Sequence, residues 1–398
     1  LCDGLGERAR DCNNHLGGLE VTVRSLVAYL LFAALTPAAS PLAAQGQGAD
    51  GVASRFDRIW QQAELFKGDD ESLLRSVRFT GRLQLDLAAV DSANGDHGEF
   101  NVRRFRLGLE AAFRGHFTLH VEADLNPQEA SPLYTQLTDV YLAWSPAKTA
   151  TVTVGKHSAG FTLDGMTSSK KLLTIDRNNL SNNLWFTDEY IPGLSIAGAK
   201  RQLSYQAGVF SSGDKNPEFG DFEGGVFVLL TLGYDFAPQL GARQALLRLN
   251  LVDNEPDPDN GFTRALERIA SLNFSYEGRD WGLRTDVAAA SGYLGQSDLD
   301  GFVVMPFYKA TEAIEVVARY TSVASDDANG VRLPRYENTV TAGRGDRYDE
   351  IYLGLNYYWY GHQLKLQNGL EHADMRDRAA DGGDYRGWAW TTALRVSW

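Results

Sequence analysis

The chain has 398 residues, with 38 Lys and Arg against 51 Asp and Glu, for a net charge of −13. That acidity argues against a nucleic-acid partner, which is met by a basic face. A bundle of membrane helices needs apolar runs of roughly 20 residues, and none occurs. Disorder is excluded by 19 Phe, 17 Tyr and 8 Trp, since solvated coils are poor in aromatics.

In chain order, residues 1–20 carry no readable pattern. Arg24 then precedes an apolar run, residues 26–35, and a zone of small residues and prolines through Ala44. A basic n-region, a short h-region and a small-residue site make a secretory signal. Residues 1–44 are thus expected to be an upstream extension and signal peptide, cut after Ala44. Both cysteines, Cys2 and Cys12, precede that cut, so the exported chain would hold no disulfide. Residues 45–76 read as a periplasmic linker with a short amphipathic helix over 55–66, on Phe56, Ile59, Trp60 and Ala63.

From Val77 onward the apolar period becomes two. In Phe79-Thr80-Gly81-Arg82-Leu83-Gln84-Leu85-Asp86-Leu87 one face is greasy and the other polar, the mark of a strand between two media. Similar segments recur near 102–113, 117–124, 138–145, 151–156, 193–200, 203–210 and 224–236. The second half adds 245–252, 268–276, 281–290, 301–309, 314–321, 350–358, 363–372 and 387–398. With the first this makes sixteen strands. Tight links such as 114–116, 146–148, 201–202, 277–280, 310–313 and 360–361 alternate with longer ones: 91–99, 125–137, 157–192, 211–223, 253–267, 291–300, 322–349 and 373–386. Backbone groups facing hydrocarbon must pair internally, so a sheet spans a bilayer only when closed. The fold expected over residues 77–398 is therefore all-β: a 16-stranded antiparallel transmembrane β-barrel with short periplasmic turns and long extracellular loops.

The last segment fits this plan. Trp388, Trp390, Thr392, Leu394, Val396 and Trp398 share one face, and Ala389, Thr391, Ala393, Arg395 and Ser397 the other. Aromatics gather beside the tight links, at Phe113, Phe117, Trp144, Tyr234, Phe236, Trp281 and 357–360, as headgroup girdles do. By parity the polar face holds Arg78, Arg82, Gln84 and Asp86, then Arg104, Arg106 and Glu110, then His120, Glu122 and Asp124. Later strands add Arg248, Arg284, Asp286, Arg319, Glu350, Lys365, Glu371 and Arg395. So many ions are costly in a dry core, which points to an aqueous lumen.

Asn101-Val102-Arg103-Arg104-Phe105-Arg106-Leu107-Gly108-Leu109-Glu110 resembles the second strand of the phosphate-selective porins of Gram-negative outer membranes. Thr138-Asp139-Val140-Tyr141-Leu142 is similar to a further strand of that family. Val154-Gly155-Lys156, Phe161-Thr162-Leu163-Asp164, Thr167-Ser168-Ser169 and Thr174-Ile175-Asp176-Arg177 resemble the segment that follows. The ordered set spans about residues 77–185. It implies a trimeric outer-membrane porin passing phosphate or other small anions, set among lipid and lipopolysaccharide, with the third long loop, 157–192, folded inward. Carried over by position, the wall arginines are Arg104 and Arg106 with Arg78 and Arg82 beside them. The loop supplies Lys170, Lys171 and Arg177. Two departures stand out. The family's loop proline is missing at Ser158-Ala159-Gly160-Phe161, and carboxylates share the inner face with the arginines.

Other readings of the same residues stand beside this one. Asn216-Pro217-Glu218-Phe219-Gly220-Asp221 is similar to the constriction segment of general cation-tolerant porins, but it falls in the fourth long loop. A nonspecific or cation-tolerant porin is the first alternative. A barrel hydrolase is a second, although no histidine stands at a recognisable spacing from Ser and carboxylate. A soluble secreted β-sandwich is the third. His120, Glu122 and Asp124 share a strand face and read as mixed lumen charges rather than a metal site, and the acidic stretch 253–261 as a solvated turn. No cofactor motif is present, and the chain is not expected to be an enzyme.

Overall fold

The computed structural model describes residues 55–398, apart from 70, 130, 148, 186–188, 214–217, 221 and 262–263. The signal-peptide reading of 1–44 lies outside the described residues, as do residues 45–54 of the expected linker. The helix expected over 55–66 is shorter: α1 covers Arg55–Gln61, and a strand, β1, follows at Glu64–Lys67.

Sixteen long strands come next. The first eight are β2 (Leu74–Ser92), β3 (Gly95–Phe113), β4 (Phe117–Leu125), β5 (Tyr134–Ala147), β6 (Ala150–Ser158), β7 (Tyr190–Lys200), β8 (Leu203–Ser211) and β9 (Val226–Asp235). The others are β10 (Gln244–Asn254), β11 (Leu266–Glu277), β12 (Trp281–Gly292), β13 (Leu299–Lys309), β14 (Ile314–Ser325), β15 (Arg347–Tyr360), β16 (Leu364–Arg376) and β17 (Tyr385–Ser397). Each pairs antiparallel with the next. β17 closes on β2, from Ser397 opposite Arg82 to Gly387 opposite Ser92. The ring has no free edge, which overturns the β-sandwich reading.

Below Arg82 the edge of β2 has outrun β17. There β1 takes the place of the missing neighbour, with Glu64 opposite Arg78 and Lys67 opposite Ser76. An open edge is a template for pairing, and covering it outweighs one more turn of helix. α1 packs nearby: Trp60 Nε1 donates to the Ser397 carbonyl at 2.6 Å, and Phe56 stacks on Tyr360 at 5.4 Å.

Alternation sorts the side chains as the sequence anticipates. Leu230, Leu232, Leu251, Leu272, Val287, Ile351 and Leu353 stand exposed on the outside. Ring pairs Phe117–Trp144, Tyr234–Phe236, Tyr276–Trp281 and Tyr357–Trp359 lie at the tight-turn rim. Three features differ from expectation. The first outer link is not a loop, because β2 and β3 run on as a hairpin that turns at 93–94. The link 236–243 holds a short helix, α3 (Ala237–Leu240), with Gly241 in the left-handed region at φ 62°. Finally, the inner face is not uniformly polar. Along β8–β14 it presents Phe210, Phe227, Leu229, Val252, Ile269, Val303, Met305, Val317 and Val323, all buried.

Candidate functional site

That apolar inner wall explains where the third loop goes. Residues 159–185 fold into the barrel, and Phe161, Leu163, Leu173, Leu180, Leu184 and Trp185 join its buried apolar cluster. Burying such side chains stabilises by about 1.5–3 kcal/mol each, enough to hold a loop inside a tube. Within the loop, α2 (Asn179–Leu184) is capped by Asn178, whose side chain accepts from Ser181 N. It rests near Gly301, where a Cβ would lie 2.8 Å from Leu180 Cδ1.

Wall groups then take up the loop's backbone. Asp286 accepts from Leu163 N at 2.6 Å. Lys365 donates to the Leu172 carbonyl at 2.6 Å, Asn356 to Leu173 at 2.8 Å, and Arg319 to Asp176 at 3.1 Å. Irregular backbone in a barrel must find partners, and four strands, β12, β14, β15 and β16, supply these. The missing proline at 158–161 does not prevent the inward fold.

The expected site residues separate into groups. Arg82, Arg104 and Arg106 are together on the β2–β3 wall. Arg82 donates to Ser169 Oγ at 2.8 Å and to Glu122 at 3.2 Å. Arg106 donates to Asp124 at 3.1 Å and to Tyr190 Oη at 2.6 Å. Arg104 donates to the amide oxygen of Gln84 at 2.9 Å, and among the described residues no carboxylate lies within ion-pair distance of it. Arg78 is on the same face but exposed, near the tight-turn rim and away from this cluster. In the loop, Lys170 is half-buried and Lys171 exposed. Arg177 is a clamp: it donates to the Asp164 carbonyl at 2.9 Å and to Glu189 at 3.1 Å, and stacks on Trp185 at 4.4 Å.

Sequence reasoning missed Arg103. Strict parity sends it to lipid, yet the ladder steps from Gln84–Arg104 to Leu85–Val102, leaving Arg103 as the extra residue. Such a bulge resets the alternation, and Arg103 Nε lies 3.5 Å from Asp176 of the inward loop. A second register shift, between Val121 and Ala123, brings Thr138 and Asp139 beside Glu122. The run of two arginines, with Asn101 buried above and Arg106 buried below, was the available signal.

A second loop was also missed. Residues 326–346 enter from the long-loop end with Val331, Leu333 and Tyr336 buried. A 3-10 turn at Glu337–Thr339 follows, and Tyr336 Oη donates to Asp86 at 2.7 Å. Beneath it Arg319 binds Glu350 at 2.7 Å and Glu371 at 3.4 Å. Apolar residues inside a long polar connection were the signal here.

Electrostatics in the loops report the local field. Burial would raise the Asp176 and Glu189 carboxyls, but Arg103 and Arg104 hold Asp176 below its ordinary value, and Arg177, Arg106 and Arg104 do so for Glu189. Burial lowers the Lys170 ammonium to about 8, helped by Arg82. Burial raises the Glu337 carboxyl to about 7, with the Glu350 and Asp176 charges adding to it. His120 meets Thr80 Oγ1 at 3.2 Å, and Glu122 is taken by Arg82 and Thr138. Glu218, of the segment similar to general porins, accepts from Tyr134 Oη at 2.9 Å at the barrel wall, away from the loop that crosses the lumen.

The comparisons with known proteins agree with this architecture. The family model for phosphate-selective porin O and P matches residues 77–245. No curated protein matches the sequence. An anion-selective porin from Comamonas acidovorans superposes with a TM-score of 0.59 at 13% identity, covering 81% of this chain and 99% of that one. The outer membrane channel DcaP of Acinetobacter baumannii gives 0.56 at 12%, covering 84% and 99%. The trimer form of OmpT, an outer membrane protein of Vibrio cholerae, gives 0.50 at 14%, covering 81% and 99%. The chain is a closed 16-stranded barrel with the fold of outer-membrane porins, and its residues 77–245 match the phosphate-selective porin O and P family model.

Proposed function

We propose that the pore favours small anions, phosphate among them, with selectivity set where the inward loop faces the β2–β3 wall. The observation that carries this reading is Arg104, a wall guanidinium with an amide but no carboxylate partner among the described residues. Its planar fork suits the oxygens of an oxyanion. Arg103, Arg82 and Arg106 flank it, each neutralised in part by Asp176, Glu122 or Asp124. Lys170 and Lys171 add charge from the loop, and Arg177 keeps that loop in shape. Arg78 acts only at the mouth.

The description of the matched family and the anion-selective porin among the structural neighbours support the same preference. The trimer form of one neighbour supports assembly as a homotrimer in outer-membrane lipid and lipopolysaccharide. The test is the zero-current potential of single channels in a KCl gradient. Chloride preference is expected, weakened in Arg104→Ala. A wild-type potential of the cation-selective sign refutes the reading.

A further inference from the structure

The wall farthest from Arg104, eight strands around the ring, carries a second unpaired basic group. Arg248 on β10 and Arg284 on β12 face inward, since their neighbours Leu249, Leu251 and Val287 are exposed outside while Asn250 and Asp286 are buried. Among the described residues neither guanidinium has a hydrogen bond or ion pair, although Arg284 lies over the Phe307 ring at 5.8 Å. Register places β11 between them. Asn273 is opposite Arg248, and Ser275 is opposite Arg284. Strands about 4.8 Å apart, with a two-residue offset of about 6.6 Å along the strand, set the two stems about 12 Å apart, within reach of one small ligand held between their long side chains.

Two further observations point to a ligand. Asn273 is 1% exposed, yet neither Nδ2 nor Oδ1 has a partner. Buried amides are rarely left so. The nearby carboxylate of Asp286 is already occupied, by Leu163 N at 2.6 Å and Ser271 Oγ at 2.7 Å, and does not neutralise the arginines. Glycine makes room beside Arg248: a Cβ on Gly233 would stand 3.3 Å from its Cγ. The site lies toward the tight-turn rim, just past the contact of the inward loop with Asp286.

We propose that Arg248, Asn273 and Arg284 form an oxyanion-binding station on the periplasmic side of the constriction, separate from the Arg104 wall. Two guanidiniums supply charge and forked donors, and the Asn273 amide supplies a further N–H. The station gives an anion that has passed the loop a second place to rest. This inference rests on the anion reading above, and the experiment separates the two. Inorganic phosphate is titrated against the chloride conductance of single channels. Saturable block is expected in wild type. In Arg248→Ala/Arg284→Ala the half-blocking concentration is expected to rise by about tenfold or more, as charge-assisted bonds are lost, while the reversal potential keeps its sign. Arg248→Lys/Arg284→Lys is expected to fall between. Should the alanine pair fail to insert, Asn273→Ala carries the test, with a severalfold rise. Unchanged block in any inserted alanine variant overturns the station. So does an anion-selective wild type that phosphate does not block. A cation-selective wild type overturns the wider reading instead.

Discussion

Replacing Arg319 by Met tests whether the inward loop is held by electrostatics as well as by burial. Arg319 is 4% exposed and binds Glu350 at 2.7 Å and Glu371 at 3.4 Å. It also donates to Thr174 Oγ1 and to the Asp176 carbonyl, both at 3.1 Å. Removing one partner from a buried ion pair costs roughly 3–5 kcal/mol, because the other charge is left without compensation. The two donors to the loop contribute about 1 kcal/mol each. Protonation of a carboxylate recovers part of this, so a net loss of about 4 kcal/mol is expected for Arg319→Met. Unfolding by guanidinium in lipid vesicles measures it. Arg319→Met/Glu350→Gln should regain at least half, since Glu371 keeps the Tyr348 hydroxyl at 3.2 Å. Single-channel conductance should rise as the loop comes free at 174–176. Stability of Arg319→Met within about 1 kcal/mol of wild type, well under the cost of a broken buried pair, would refute the reasoning, as would a double variant no better than the single.

Other consequences concern charge and fit. The Lys170 ammonium, lowered to about 8 by burial and by Arg82, loses its charge as pH rises through that value. Chloride preference should therefore weaken between pH 7 and 9 in wild type and stay flat in Lys170→Met. Glu337 has the opposite sense. Burial and neighbouring carboxylates raise it to about 7 from an ordinary 4.5, so the folded state binds the proton more tightly than the free loop. Docking of 326–346 is then strongest below about pH 4.5 and is lost progressively up to about pH 7. Loop flicker in single-channel records should increase over that range, and Glu337→Gln should remove the dependence. Gly301→Val puts a Cβ 2.4 Å from the Ser322 carbonyl and 2.8 Å from Leu180. Overpacking of this kind costs about 1–3 kcal/mol; α2 should shift and conductance should change, read against a Gly98→Ala control, where the nearest atom to a new Cβ is the Ala88 carbonyl oxygen at 3.9 Å.

The barrel was legible because its cause is local. Alternation along a single strand records which side meets lipid, and tight turns carry their own residues. What the chain does across strands was less legible. A bulge depends on the register of two strands, so Arg103 read as lipid-facing although it reaches Asp176 at 3.5 Å. The hairpin turning at 93–94 read as a loop because polar residues continue above the membrane on paired strands. The apolar inner patch at Val303, Met305 and Val317 also broke the simple rule. Those residues face neither lipid nor water but another part of the same chain. Arg177 was assigned to anion binding by analogy, whereas its bonds to Asp164 and Glu189 make it a support for the loop. Lys170 and Lys171 could be placed in the loop from sequence, but not their unequal exposure.

A net charge of −13 looks at odds with the proposed anion preference until the charges are located. Asp253, Glu255, Asp259, Asp326, Asp327 and Asp381 are exposed at or beyond the long-loop ends of the strands. At physiological ionic strength their fields are screened over about 8 Å, whereas the lipid-facing band of such a barrel is about 25 Å tall. A permeating ion between the loop and the β2–β3 wall is shielded from the rim and feels the groups it nearly touches. There Asp176 and Glu189 are held ionised against their burial by surrounding arginines, which is what a locally positive potential does to a carboxyl. The overall charge of the chain thus does not set the field that a permeating ion meets; on the proposed reading the few guanidiniums without carboxylate partners do.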